Sequence, residues 1–119
     1  NNEPITVYGD GLQSRSFCFV DDLIDGFIKL INHDGNLTPM NLGNPNEFTI
    51  MELANKIIKL TNSKSIIDIK PLPQDDPRQR QPNIAFAKKM LKWQPKVELE
   101  EGLSITADWF SNMLTRKQF

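Results

Sequence analysis

Cysteine and histidine are scarce in this sequence: each occurs once among 119 residues, as Cys18 and His33. A single cysteine excludes a disulfide within the sequence and is typical of a reducing compartment, so we expect a cytoplasmic protein. A single histidine leaves no cluster of metal ligands, and no metal site is expected. His33 stands beside Asp34 at the end of a predicted helix, and we interpret it as part of the helix terminus.

Several sequence patterns of known chemistry are also missing. Gly9 and Gly11 lack the third glycine of the Gly-x-Gly-x-x-Gly loop that binds dinucleotides. There is no Ser, His and Asp arrangement typical of nucleophilic catalysis. We find no signal-peptide pattern and no apolar run long enough to span a membrane. The residues alone therefore indicate no complete catalytic site, and none of them is assigned as catalytic.

Strong charge of one sign is absent as well. The formal net charge is −1, and the isoelectric point is about 5.8. Nucleic acids and anionic membranes attract proteins through a basic field, so neither is an expected partner. The sequence begins with Asn1-Asn2-Glu3 rather than with Met, and we expect it to be a piece of a longer protein.

Hydrophobic periodicity predicts one small α/β domain over residues 1–119, which is long enough for one modest core. Apolar residues at i, i+3 and i+4 predict helices, and β-branched runs predict short strands. The predicted helices are Asp21–Asn32, Thr49–Thr61, Asn83–Leu91 and Leu99–Leu114. The side chains of the last helix that are expected to face inward are Leu103, Thr106, Ala107, Phe110 and Met113. The predicted strands are Ile5–Tyr8 and Ile66–Ile69, and Ser14–Val20 is predicted to be either a further strand or an extended entry into a helix.

Residues that begin helices are the clearest local signals. Thr49 and Glu52 form a capping box, in which each side chain accepts a hydrogen bond from the other residue's backbone. Asp21 and Asp22 begin the first helix, where carboxylates accept from free N–H groups and favour the helix dipole. We interpret these two acids as caps, and we expect Trp93 to be a buried anchor.

Residues 75–82 read Asp-Asp-Pro-Arg-Gln-Arg-Gln-Pro. The prolines stiffen the backbone, and guanidinium groups donate paired hydrogen bonds to phosphate or carboxylate. The segment could therefore be a stiff loop that binds an anion. The alternative is a solvated loop in which Asp75 and Asp76 pair with Arg78 and Arg80, at little energetic gain.

A second candidate for anion binding is the turn Gly9–Gly11, which is followed by Gln13 and Arg15. Glycines allow a positive φ and leave room for a ligand near the backbone. The alternative is a plain hairpin that joins the strands on either side of the turn.

Six segments of the sequence, in this order and over nearly its whole length, resemble the UDP-glucuronate decarboxylase family. These enzymes are extended short-chain dehydrogenase/reductases of the NAD-dependent epimerase/dehydratase kind. The segment at residues 74–82 favours the decarboxylases over sugar epimerases and dehydratases. The six segments are Val7–Leu23, Asn41–Pro45, Glu47–Ile50, Gln74–Pro82, Trp93–Lys96 and Leu99–Leu103.

The resemblance implies the C-terminal, substrate-binding portion of a Rossmann-type enzyme, with NAD bound by a missing N-terminal half. Enzymes of this family convert UDP-glucuronate to UDP-xylose and CO₂ through a 4-keto intermediate. The implied ligand is a UDP-sugar, and the implied assembly of the full-length enzyme is a homodimer. The alternatives are a lobe of a related nucleotide-sugar 4-epimerase or 4,6-dehydratase, and a non-catalytic interaction module that keeps the scaffold.

The resemblance also implies which residues bind the substrate. Arg15 is expected to contact the diphosphate, and Arg80 is expected to lie over the substrate, so that both converge on one anion. The nucleotide is expected beside the turn that follows the first strand. The implied substrate-binding residues are Tyr8, Gly9, Gly11, Gln13, Arg15, Arg78 and Arg80.

The sequence departs from the family at three points. The Tyr-x-x-x-Lys pair is absent, since Leu12 follows Tyr8 at the lysine spacing, so this piece alone is expected to be inactive. Asn83 stands where many relatives have Asp, which we interpret as one helix cap replacing another. The parallel sheet that would cover the helices is also absent, so we expect an exposed apolar patch along Leu23–Ile31 or the last helix.

Overall fold

The computed structural model describes residues 2–35 and 38–116, which form four helices and five short strands. The four helices begin and end within two residues of their predicted bounds. Together with the strands, they confirm the predicted α/β class. The strands are β1 (Ile5–Tyr8), β2 (Ser14–Ser16), β3 (Glu47–Thr49), β4 (Ile67–Lys70) and β5 (Gln79–Arg80). The helices are α1 (Val20–Ile31), α2 (Ile50–Leu60), α3 (Ala85–Leu91) and α4 (Leu99–Arg116).

The strands form two small sheets. β1 pairs in parallel with β4, whereas β2 lies between β3, which is antiparallel to it, and β5, which is parallel to it. Because β1 and β2 belong to different sheets, the hairpin alternative for the turn between them is wrong. Gly9 and Gly11 have φ angles of +67° and +72°, and a Cβ on Gly11 would lie 3.0 Å from Val7 Cγ1. The glycines thus redirect the chain from one sheet to the other.

The structure combines the two alternatives for Ser14–Val20. The strand β2 ends at Ser16, and the chain then leads through the extended Phe19 into α1, which begins at Val20. The sequence pattern also gives no sign of β3 and β5, which contain three and two residues. Strands this short are defined by their pairing with β2, and the pattern of their own residues does not show that pairing.

Trp93 is the centre of the buried core. Its side chain is 1% exposed and packs with Ile84, Ala87 and Leu91, which confirms the predicted anchor. A Cβ on Gly26 of α1 would lie 3.0 Å from the indole Cε2, so the glycine lets α1 approach the ring closely.

Asp22 does not cap α1, contrary to the prediction. The N-cap residue is Phe19, without a side-chain cap, and the Asp22 carboxylate is buried. Its Oδ2 accepts hydrogen bonds from the backbone N–H groups of Lys96 and Val97, each at 2.9 Å. Its backbone oxygen accepts a third bond, from Trp93 Nε1 at 3.0 Å. Asp22 therefore joins the start of α1 to the segment that leads into α4.

The capping box at the start of α2 is confirmed. Thr49 Oγ1 accepts from the Glu52 backbone N–H at 3.1 Å, and Glu52 Oε2 accepts from the Thr49 backbone N–H at 2.8 Å. The cap predicted at Asn83 lies one residue away from the N-cap position, which is Ile84. Asn83 Oδ1 nevertheless accepts from the backbone N–H of Ala85 at 3.0 Å.

Two helices expose apolar side chains. On α1, Ile24, Phe27 and Ile28 are about half exposed, and Ile31 is 79% exposed. On α4, Trp109 and Phe110 are also more than half exposed. The expected apolar surface is confirmed, whereas the prediction that Thr106, Phe110 and Met113 face inward is wrong, because nothing in the described chain covers that side. None of the described helices is long and apolar enough to cross a membrane.

We predict that Asp22→Ala lowers the free energy of unfolding by about 2–4 kcal/mol. The substitution leaves the two N–H groups of Lys96 and Val97 without their acceptor, at roughly 1–3 kcal/mol for each unsatisfied group. Urea denaturation followed by circular dichroism measures the change. Asp21→Ala is the matched control, since Asp21 is an exposed neighbour and should cost less than about 0.5 kcal/mol. Equal effects of the two variants would contradict this role of Asp22.

We predict that Thr49→Ala costs about 1 kcal/mol, the usual value of a helix cap, whereas Thr49→Ser retains most of the stability. Hydrogen bonds from Thr49 lower the pKa of Glu52 from its ordinary 4.5. A lowered pKa in the folded state means that this stabilisation is present above pH 4.5 and is lost as the pH falls through the folded value. The difference between wild type and Thr49→Ala should therefore shrink in acid. A difference that grows below pH 4.5 in urea denaturation would contradict the coupling.

Candidate functional site

The sheet β3-β2-β5 places the two candidate phosphate ligands side by side. Arg15 of β2 and Arg80 of β5 are register partners in a parallel pair. Register partners in adjacent strands point to the same face of a sheet, and neighbouring strands lie about 4.8 Å apart. The two residues are thus brought together although 64 residues separate them in sequence.

The opposite face of the same sheet carries an acid. Glu47 accepts from Ser14 Oγ through Oε1 at 2.6 Å and from Gln79 Nε2 through Oε2 at 2.7 Å. Ser14 and Gln79 are themselves register partners of β2 and β5. Because side chains alternate between faces along a strand, Glu47 is satisfied by neutral donors on one face while the arginines occupy the other.

Arg15 is held by two contacts and is only 18% exposed. Its Nη1 donates to the Ser14 backbone oxygen at 2.7 Å, and its Nη2 donates to Asp76 Oδ1. The loop reaches Arg15 because the Ser14 backbone N–H donates to the Arg78 oxygen at 2.9 Å, two residues beyond Asp76. The guanidinium group therefore lies in a fixed position between a strand and a loop.

The self-neutralising alternative for residues 75–82 is wrong for the described chain. Asp76 pairs with Arg15, and none of the ion pairs among residues 2–35 and 38–116 includes Asp75, Arg78 or Arg80. The reason is that β5 aligns the loop beside β2, so that its acid meets an arginine from another strand. The charges of Arg78 and Arg80 remain available to a ligand.

The turn after β1 is braced by its own polar groups. The buried Gln13 donates from Nε2 to the Tyr8 backbone oxygen at 2.8 Å. The Gly9 N–H donates to the Lys70 oxygen at 2.8 Å, and the Met51 N–H donates to the Gly11 oxygen at 3.0 Å. The turn is consequently tied to β4 and to the first residues of α2.

A cavity of about 230 Å³ opens next to this turn. Two of the predicted substrate-binding residues, Gln13 and Arg78, lie in its wall, and the wall does not include Tyr8, Gly9, Gly11, Arg15 or Arg80. Typical pockets for small molecules measure about 300–1,000 Å³, so this one suits only part of a nucleotide-sized ligand. The lining residues are Asp10, Leu12, Gln13, Leu72, Asp76 and Arg78.

Sequence reasoning missed four lining residues as site members, namely Asp10, Leu12, Leu72 and Asp76. A leucine directly after a glycine turn is a weak signal of an open surface, and Leu12 is indeed 68% exposed. Leu72 carries no such signal. The seven residues implied by the resemblance are thus spread over a sheet face, a turn and a cavity wall, and their role in binding stays a prediction.

Cys18 gives the site no reactive nucleophile. Partial burial, together with the negative charge of Asp22, raises the pKa of its thiol. The thiolate is the reactive form, so the raised pKa keeps Cys18 protonated and unreactive at neutral pH.

Comparison with known proteins agrees with the family resemblance seen in the sequence. The model of the family described as NAD dependent epimerase/dehydratase matches residues 1–43. UDP-glucuronic acid decarboxylase 1 of Arabidopsis thaliana is 45% identical over 111 residues, or 93% of this chain and 25% of that protein. The protein of the same name in Danio rerio is 48% identical over 112 residues, or 94% of this chain and 27% of that protein. The chain thus spans about a quarter of the length of these relatives.

Solved structures share the fold. UDP-glucose 4-epimerase of Thermotoga maritima, solved with UDP-glucose, matches with a TM-score of 0.89 at 29% identity, over 95% of this chain and 36% of that one. An epimerase of Methanothermobacter thermautotrophicus matches with a TM-score of 0.90 at 28% identity, over 98% and 36%. Residues 1–43 thus match the NAD dependent epimerase/dehydratase family, the fold is that of solved epimerases, and over most of its length the chain is similar to UDP-glucuronic acid decarboxylases.

Proposed function

We propose that this chain is the substrate-binding lobe of an NAD-dependent UDP-glucuronate decarboxylase. The complete enzyme converts UDP-glucuronate to UDP-xylose and CO₂ through a 4-keto intermediate. One observation carries the proposal: the chain is 45–48% identical to two decarboxylases but 28–29% identical to two epimerases of matching fold. In the 4-keto acid the carbonyl lies β to the carboxylate, so it takes up the electron pair that remains when CO₂ leaves.

In this proposal the lobe binds and orients the diphosphate. Arg15 and Arg80 lie on one sheet face, and the β2 strand that carries Arg15 is paired on both sides. A diphosphate carries about two negative charges, which suits two guanidinium groups that donate paired hydrogen bonds. Because the strands fix both Cα positions in advance, little order remains to be imposed when the ligand binds.

The nucleoside would lie against the braced turn. Gln13 and Arg78 line the cavity beside it, and Tyr8 ends the strand that leads into it. Since the Gln13 amide group already donates to the Tyr8 oxygen, the contribution of Gln13 is to hold the shape of the turn.

The residues of this sequence do not fit an NAD site. The glycine-rich dinucleotide loop requires free backbone N–H groups beside the pyrophosphate. Here the Gly9 N–H is engaged by Lys70 of β4, and the sequence has no Gly-x-Gly-x-x-Gly. We therefore assign NAD to a part of the enzyme outside this sequence, and the chain's own role is substrate binding.

The complete enzyme is further proposed to be a cytoplasmic homodimer. Its location is supported by the single cysteine of this sequence. The half-exposed apolar side chains of α1 and α4 support contact with further polypeptide, because a surface of this kind favours burial.

A nucleotide-sugar 4-epimerase is the second candidate. The match to the UDP-glucose 4-epimerase of Thermotoga maritima covers 95% of the chain. Both reactions would require the diphosphate to be bound in the same way, so the arginines do not distinguish a decarboxylase from an epimerase.

The products of the reaction test the proposal. We predict that the complete protein that carries this sequence converts UDP-glucuronate, in the presence of NAD, to UDP-xylose with release of one CO₂ for each sugar. Chromatography of the nucleotide sugars and trapping of labelled CO₂ measure both products. Formation of UDP-galacturonate without CO₂ would sink the decarboxylase assignment and support the epimerase.

A substitution series tests the arginines. In the complete protein, Arg80→Lys should weaken UDP binding by about 1.5–3 kcal/mol, because lysine keeps the charge but loses the paired donors. Arg78→Lys should have a smaller effect, since Arg78 lies on the cavity wall outside the Arg15–Arg80 pair. Isothermal titration calorimetry with UDP measures both variants. Unchanged binding in Arg80→Lys means that the site assignment is wrong.

A further inference from the structure

The ion pair between Arg15 and Asp76 joins residues that are 61 positions apart. The side chains are 18% and 27% exposed, respectively. Partial burial reduces screening by water and salt, so this pair is stronger than an ordinary surface pair. One of the donors that a diphosphate would use is therefore already occupied by an acid of the chain itself.

Asp76 also contributes to the cavity. It lines the cavity together with Arg78 and Asp10, whereas Arg15 is not part of the wall. An anion in the cavity is therefore close to Asp76, whose carboxylate is paired with the Arg15 guanidinium. Two like charges in this space repel each other, so either Asp76 moves or the anion is held away from Arg15.

The two partners differ in how firmly their backbones are held. Arg15 is in the central strand of a three-stranded sheet and has paired neighbours on both sides. Asp76 is in the loop between β4 and β5, where its backbone N–H makes only a long bond of 3.4 Å to the Pro73 oxygen. Displacement would therefore move Asp76 and its loop rather than Arg15.

We propose that Asp76 is an internal anion, which occupies Arg15 in the empty site and is displaced by the diphosphate of the ligand. The inference rests on the proposed function, because it takes the ligand of Arg15 to be a diphosphate. The exchange replaces one negative charge beside Arg15 by about two, which favours the diphosphate over the carboxylate. It also couples ligand binding to the position of residues 71–77, since the released carboxylate no longer ties this loop to β2.

The test compares Asp76→Asn with Asp75→Asn in the complete protein. Both variants remove one negative charge from the same loop, but Asp75 is exposed and takes no part in the ion pairs of the described chain. The probes are inorganic pyrophosphate, UDP and uridine, titrated by calorimetry. Thermal unfolding of each variant verifies that the fold is retained.

We expect Asp76→Asn to bind pyrophosphate and UDP about threefold to tenfold more tightly, since neither has to displace a competing ion pair. Asp75→Asn should change these affinities less than about twofold, because it alters only screened, longer-range charge. Uridine has no phosphate, so its binding should be unchanged in both variants.

Hydrogen exchange gives the second readout. The segment 71–77 contains three prolines, so its exchangeable amides are those of Leu72, Gln74, Asp75 and Asp76. Pyrophosphate should speed their exchange in wild type and in Asp75→Asn, because the freed loop opens more often. In Asp76→Asn the exchange should be fast already and should not respond. A residue that only supports the fold would not produce this pattern.

Three results would overturn the inference: weaker pyrophosphate binding in Asp76→Asn, equal gains in both variants, or no pyrophosphate binding in any of them. A different result would refute the proposed function. If UDP binds no better than pyrophosphate, uridine recognition is refuted, while the effect of Asp76→Asn on pyrophosphate still decides the role of Asp76.

Discussion

The buried carboxylate of Asp22 is the contact on which the arrangement of this chain depends. It fixes the first turn of α1 to the backbone of Lys96 and Val97, and Trp93 adds a bond to the same residue. Only three residues separate β2 from α1, so an anchor at the start of α1 also limits where β2 can lie. The position of Arg15 in β2 is thus set partly by a hydrogen-bonded acid seven residues away. A buried carboxylate is costly unless it is fully hydrogen-bonded, which explains its two backbone donors.

The sheet around β2 places acidic and basic side chains on opposite faces. Alternation of side chains puts Glu47 on one face and Arg15 and Arg80 on the other. Glu47 is satisfied by a hydroxyl and an amide instead of an arginine, so it does not neutralise the basic face. That face consequently keeps more positive than negative charge near the loop, since Asp76 balances only one of its arginines. A surplus of fixed donors is what binding of a doubly charged group requires.

Local signals could be predicted from the sequence, whereas long-range contacts could not. The capping box at Thr49 and Glu52 depends on residues three positions apart, so the sequence shows it directly. Trp93 was predictable as an anchor because a large apolar side chain between helices rarely finds another place. The role of Asp22 was not predictable, because its partners lie 74 and 75 positions away and an acid at a helix start is usually a cap.

The candidate site shows the same difference between predictable local signals and unpredictable long-range contacts. The resemblance named Arg15 and Arg80, but only the pairing of β2 with β5 puts them in register. The partner of Asp76 could not be read from its own segment, where two arginines lie closer in sequence than Arg15 does. Proximity along the chain favoured the wrong pair, because the strand geometry of residues 79–80 turns the loop toward β2.

A lobe of this kind can contribute to catalysis without a reacting group of its own. Under the proposed function, the diphosphate is remote from the sugar carbon that would lose CO₂, so its binding energy can serve to hold the sugar in one orientation. That use requires the phosphate ligands to be rigid relative to the remaining parts of the active site. The paired strand β2 supplies rigidity within the lobe, and the exposed apolar faces of α1 and α4 offer surfaces through which the lobe can be fixed to more polypeptide. Because α1 follows β2 after three residues, a partner that covers α1 would position the arginines as well. Docking of the lobe onto such a partner would then also position the substrate.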